Sequence, residues 1–302
     1  MTLVFSHPAS ASHHTPPGHP ERVERLAAVE AGLTGLQVQR RESPLANGDD
    51  LLRCHPASYI SAIGDAEPSE GFAQLDPDTW MSPGSFEAAS RAVGGACGAV
   101  DEVLSGKARN AFVSARPPGH HAETETAMGF CLFGTVSIAA KRALDHHNLT
   151  RVAVVDFDVH HGNGTQDLLW SEPRVLFATS QQMPLWPGSG DRNERGAHCQ
   201  IINLPLPPGS DGQHMRQAYE AEIFPALTAF APELVLISAG FDAHADDPLA
   251  QLNWREQDYA WLTRRLCAFA GGRVVSCLEG GYDLSALTAS VAAHVGVLQE
   301  QA

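Results

Sequence analysis

Short apolar runs alternate with helix-length stretches over most of this chain, and that alternation constrains the fold more than any other feature. The runs are "NAFVSA" (110–115), "RVAVVDF" (151–157), "VLFATS" (175–180), "LVLISAG" (234–240) and "GRVVSCLE" (272–279). Helical patterns occupy 134–147, 213–230, 255–271 and 284–299. Upstream, "LVF" (3–5) reads as a first strand, and "HPERVERLAAVEAGLTGL" as a helix begun near Pro20 and ended at glycine. The Ala-rich stretch 85–106 reads as a further helix in which Gly94 and Gly95 allow close packing. Strands separated by helices are joined by crossovers, which gives a mostly parallel sheet covered on both faces. The expected fold is α/β: a three-layer α/β/α arrangement. With no linker, repeat or low-complexity block, residues 1–302 read as one domain.

The residues just past these runs are unusual. The 110–115 run leads into "RPPGHHA", with His120 and His121, and the 151–157 run into "DVHHGNG". The 234–240 run leads into "FDAHADDPL", and the last into "EGGYD", with Glu279, Tyr282 and Asp283. In a parallel sheet all carboxyl ends lie on one edge, where open α/β folds place their ligands. Four strands therefore deliver polar side chains to one crevice. Asp156, Asp158 and His160 share a face if the strand stays extended to its tip. Two carboxylates and an imidazole that close call for a cation between them. Asp158, His160 and Asp242 make a thiolate-free ligand set, which suits a catalytic metal with open positions better than a closed structural site. Iron or cobalt fits this set nearly as well as zinc.

A hydrolytic water needs a base, and a leaving amine needs an acid. His120 and His121 can supply both if their partners tune them apart, with Asp156 opposite one and Asn163 opposite the other. Tyr282, after two glycines, is placed to donate to a developing oxyanion. Another tandem pair, in "DHHN" at 145–148, reads as a surface loop.

The bulk numbers exclude other classes. A net charge of −15 argues against a nucleic-acid partner, because binding phosphates requires a basic face. The acidic balance favours cationic substrates. Six scattered cysteines, with no C-x-x-C pair, indicate neither a disulfide framework nor a thiolate zinc site, and fit a reducing compartment. The N-terminal segment lacks the basic and long apolar regions of a signal peptide, and no apolar run approaches the ~20 residues of a membrane span. A cytoplasmic protein without a membrane partner is expected, and assembly into a homo-oligomer is left open.

Taken together, the motifs resemble the zinc-dependent histone deacetylase superfamily, in particular the class II type and the bacterial deacetylases and acetylpolyamine amidohydrolases. They are "GHPERVERL", "LDPDTWMSPGSFEAA", "RPPGHHAETETAMGFC", "VVDFDVHHGNGTQ", "PGSG", "SAGFDAHADDPL" and "CLEGGYD", spread over nearly the whole chain. The resemblance implies the arginase/deacetylase-like fold and an acetylated lysine peptide or small acetylated amine as substrate. It implies one zinc ion on Asp158, His160 and Asp242. It makes His121 the general base beside Asn163, and His120 its partner beside Asp156. Tyr282 would polarise the acyl carbonyl. Gly129 with Phe130 on one side and Trp186 on the other would wall an acyl-lysine tunnel. A structural potassium ion is implied near Asp156 and Asp158, close to Thr179 and Ser180, and Arg25 matches an arginine below the pocket.

Three features depart from the pattern. The chain reads "GFCLFGT" where relatives often read "GFCLFNN", and it lacks the histidine that many eukaryotic members carry after the strand at 175–180. Leu249, a substrate-side residue, stands where acetylpolyamine-selective eukaryotic members have glutamate. Two other functions stay open. "DAHAD" (242–246) resembles a metal motif of the arginases, binuclear manganese ureohydrolases; otherwise His244 and Asp246 are rim or structural residues. A non-catalytic acyl-lysine-binding module is the other.

Overall fold

The computed structural model describes residues 1–302. Its strands are β1 (Thr2–Ser6), β2 (Gln39–Glu42), β3 (Ala73–Asp76), β4 (Thr79–Met81), β5 (Asn110–Val113), β6 (Val152–Asp156), β7 (Val175–Gln182), β8 (Ile201–Leu206), β9 (Leu234–Ala239) and β10 (Val274–Leu278). Eight form one sheet in the order β2-β1-β5-β10-β9-β6-β7-β8, with every ladder parallel. β3 and β4 form a separate antiparallel hairpin.

Strand side chains alternate between the two faces and seed two cores. On β6, Ala153 and Val155 join the cluster that holds Val235, Ile237 and Phe112. Val152 and Val154 join the other, with Leu234, Leu236 and Val113. Helices Glu24–Gly32, Glu256–Leu266 and Leu284–Glu300 cover the first face. Helices Ser85–Leu104 and Thr135–His146 cover the second, largely through Ala92, Ala96, Ala139 and Ala143, whose small side chains let the helices lie close to the sheet.

The helix expected from Pro20 begins only at Glu24. The preceding residues are irregular because Glu21 turns fully inward, where it meets Arg25 and Arg116. The stretch 213–230 is helical, with a π turn at Tyr219–Ile223.

Candidate active site

β5, β10, β9 and β6 are consecutive in the sheet, so the four polar endings emerge side by side. β6 stops at Asp156, not at the tip of the motif. Beyond it the chain bends, and carboxylates hold each bend. Asp156 Oδ1 accepts from the amide of Asp158 (3.0 Å), Asp158 Oδ1 from that of His160 (2.9 Å), and Asp242 Oδ1 from that of Val159 (2.9 Å). The bend separates Asp156, which faces His120, from Asp158 and His160, which meet Asp242 at the end of β9. The ligand atoms of Asp158, His160 and Asp242 lie within 4.8 Å of one another. His160 Nδ1 is 3.2 Å from Asp158 Oδ1 and 3.1 Å from Asp242 Oδ2.

Both carboxylates are fully buried. Burial, with Asp158 alongside, pushes the Asp242 carboxyl up to about 7. Burial also opposes charge on His160, yet hydrogen bonds to Asp158 and Asp242 raise it to about 10. The cluster therefore retains protons that ordinary groups would release or share with water, as expected of a donor set built for a cation. No lysine or arginine pairs with either carboxylate. Gly280 lets the β10 loop approach: a Cβ there would stand 2.2 Å from Asp242 Oδ2 and 2.6 Å from Asp158 Oδ2. Instead its amide donates to Asp158 Oδ2 at 2.8 Å. Oxygen and nitrogen donors, buried and free of thiolate, fit zinc.

The histidine rings lie 3.8 Å apart between centroids, tilted by 42°, and differ in their partners. His120 Nδ1 is 3.0 Å from Asp156 Oδ2. Burial disfavours its cation, but Asp158 and Asp156 outweigh burial and hold its pKa well above the ordinary value. His121 Nδ1 is 2.7 Å from Asn163 Oδ1. The Asn163 amide is oriented by Glu123, whose Oε1 accepts from Nδ2 at 2.8 Å. Asn163 Oδ1 can only accept, so His121 carries its proton on Nδ1 and presents a bare Nε2. Burial, reinforced by the charge of His120, holds His121 well below the usual range. One imidazolium and one free base result.

A slot of about 220 Å³ rises from this floor. Its floor is His121, His160 and Tyr282; Gly129, Phe130, Trp186 and Leu249 wall it, with Leu185 and Asp78. Gly129 (φ 56°) and Phe130 (φ 68°) are successive left-handed residues. A Cβ on Gly129 would lie 2.4 Å from His121 Cδ2 and 2.6 Å from Trp186 Cη2. Trp186 is 41% exposed and meets His121 edge-on at 4.8 Å. Burial and the nearby Asp242 keep the Tyr282 phenol protonated far above its ordinary pKa, and its hydroxyl is a donor without a partner in the chain.

Beneath lies a charged layer of which the sequence pointed to Arg25 and Glu279 alone. Arg25 donates from Nε to the Gly281 carbonyl (2.7 Å) and also to that of Glu279. Glu21 pairs with Arg25 and Arg116, all three fully buried. Glu279 Oε2 accepts from the Gly119 amide at 2.7 Å, bracing the turn that carries His120. Asp247, also unforeseen, accepts from the Tyr282 amide at 2.7 Å. Elsewhere, His244 pairs with Glu256 (3.3 Å) and Asp246 with Arg255 (2.9 Å), and neither belongs to the cluster. In "DHHN", His146 is exposed and His147 is 2.7 Å from Asp101, whose carboxylate Arg142 already grips through both oxygens.

Residues 18–298 match the histone deacetylase domain. A histone deacetylase-like amidohydrolase of Pseudomonas aeruginosa is 39% identical over 287 residues, covering 91% of this chain and 74% of that protein. A probable deacetylase of Archaeoglobus fulgidus is 36% identical, covering 94% and 82%. The crystal structure of the HDA15 HD domain superposes with a TM-score of 0.94 at 30% identity, covering 98% of this chain and 90% of that one.

Proposed function

We propose, from the premise that the chain belongs to the histone deacetylase family, that it removes acetyl or similar short acyl groups from lysine side chains or small acetylated amines. The observation that carries this reading is that a thiolate-free Asp158–His160–Asp242 cluster and an oppositely tuned histidine pair meet at the base of one aromatic-walled slot, into which His160 and His121 open.

The acyl-amine stem lies between Phe130 and Trp186, whose faces exclude water and leave little width for bulky side chains. Zinc, when held by Asp158, His160 and Asp242, supplies the Lewis acidity that acidifies a water and polarises the acyl carbonyl. His121 Nε2 takes the proton from that water, and Asn163 keeps the ring turned for it. The water oxygen then bonds to the acyl carbon, and His120, which stays charged beside Asp156, helps to stabilise the negative charge that develops on the acyl oxygen. Tyr282 donates its hydroxyl to the acyl oxygen. As the C–N bond breaks, the histidine pair returns a proton to the leaving amine. The reading also takes a potassium ion beside Asp156 and Asp158, where Thr179 faces Asp156 across the β6–β7 ladder.

The binuclear manganese alternative needs ligands beyond the three, and His244 and Asp246 have other partners. Acetate release from a panel of acetyl-lysine peptides, acetylated diamines and longer acyl amines tests the reading. Turnover that EDTA abolishes and zinc restores is expected. Stoichiometric zinc with no product from any member would leave a binding module instead.

A further inference from the structure

Tyr282 follows Gly280 and Gly281, and Gly281 sits at φ 120°, so the loop has little intrinsic stiffness. The phenol gets no help from its own hydroxyl. Its ring is touched edge-on by Phe130 at 5.9 Å between centroids and lies 5.1 Å from the Arg25 guanidinium. Where the hydroxyl points is therefore decided by the backbone beneath it.

That backbone is gripped at a single peptide plane. Arg25 donates to the carbonyl of the Gly281–Tyr282 peptide at 2.7 Å, and Asp247 Oδ2 accepts from its N–H at 2.7 Å. Buried side chains of opposite charge thus hold the two ends of one dipole. The same Asp247 oxygen is 3.4 Å from the Asp283 amide, and its Oδ1 accepts from the amide of Leu249 at 3.0 Å. Asp247 makes no ion pair; its partners are main-chain amides of the Tyr282 loop and of the slot wall. A buried carboxylate without a counter-ion is costly, and here it ties the oxyanion donor to the wall residue Leu249.

We infer that Asp247 is a positioning residue for Tyr282: it fixes the Gly281–Tyr282 peptide opposite Arg25, sets the phenol over the reacting carbonyl and locks it to the Leu249 wall. This rests on the reading of Tyr282 as donor to the acyl oxygen. Asparagine at 247 keeps the shape but must turn an NH2 toward one of these amides.

The test uses the zinc-loaded protein with its four tyrosines labelled with 13C at Cζ; Tyr282 is assigned by the signal lost in Tyr282→Phe. In Asp247→Asn the Tyr282 signal should shift or broaden while those of Tyr59, Tyr219 and Tyr259 stay in place. The kcat on an acetyl-lysine peptide should fall roughly 100-fold with KM and zinc content held. In a Tyr282→Phe background the same substitution should cost nothing more, because a positioning residue has nothing left to position. An unmoved Tyr282 signal, or an equal loss of kcat in the Tyr282→Phe background, overturns the inference. Asp247→Ala repeats the test by a larger deletion, and Asp247→Asn decides it should the alanine variant not fold. If the native protein hydrolyses no acylated amine, the reaction reading fails, while the tyrosine signal still decides the clamp.

Discussion

His120 and His121 differ in what lies behind them, a carboxylate behind the first ring and an amide behind the second. His121 must be neutral to act as a base. A pKa held below the ordinary value keeps it so to lower pH, and a divalent cation nearby pushes the same way. The acid limb of kcat/KM should therefore lie below the ~6.5 of an unperturbed imidazole, and Asn163→Asp should move it upward. A limb that stays put in Asn163→Asp would detach His121 from the rate. For Tyr282→Phe, loss of one oxyanion donor should lower kcat by roughly 10²–10³ with zinc content intact; near-normal turnover would remove the phenol from the chemistry. At this scale the grouping of Asp158, His160 and Asp242 and that of the histidine pair were legible because each member sits just past an apolar run. Glu279 was placed at the crevice but without a role, and Asp247 and Glu21 were not legible, because an acid beside proline reads as a surface turn until distant main-chain amides or arginines are seen around it.

At the scale of the element, the site is a set of four strand ends whose loops approach one another at glycines. Gly240 and Gly280 both make such an approach: a Cβ would stand 2.1 Å from Asp158 Oδ2 at the first and 2.2 Å from Asp242 Oδ2 at the second. Gly280→Ala should push the β10 loop off Asp158 and Asp242, and dialysis against a graded chelator should show a roughly 10–100-fold loss of zinc affinity in a folded protein. Unchanged affinity would mean the loop has no part in holding the ligands. The five apolar runs were all found as strands because each is buried on both faces. β2 and β8 escaped because they are edges: Arg40 and Arg41 make β2 read as polar loop, and Pro205 in β8 is tolerated only where one side of the strand is unpaired. The condition that β6 stay extended to His160 is not met, because Asp156 and Asp158 bond the following amides and bend the chain.

For the molecule as a whole, three charges share the layer under the site. Burial opposes the charge of Glu21, and Arg116 then Arg25 overcome it, holding its pKa at about 2. That lies below the unfolded value of 4.5, so the stabilisation is complete above 4.5 and is lost as pH falls toward 2. The shift is worth about 3 kcal/mol. Glu21→Gln should cost about 3–5 kcal/mol, measured by urea unfolding at neutral pH, with the deficit narrowing in acid. A deficit independent of pH would mean that packing, not charge, is lost. Zinc at a hundredfold excess over its Kd should add about 2.7 kcal/mol to native stability, and Asp242→Ala should abolish that increment. No helix is long and apolar enough to cross a membrane, and the three-layer plan was readable from the alternation of runs alone. The charged layer was not, since its members lie far apart in sequence: Glu21 and Arg116 meet across 95 residues. The most direct measurement is anomalous diffraction at the zinc edge from crystals grown with zinc. A single peak enclosed by Asp158, His160 and Asp242 is the expected result. An active protein with no peak there, or with its zinc instead at Asp101, His146 and His147, would contradict it.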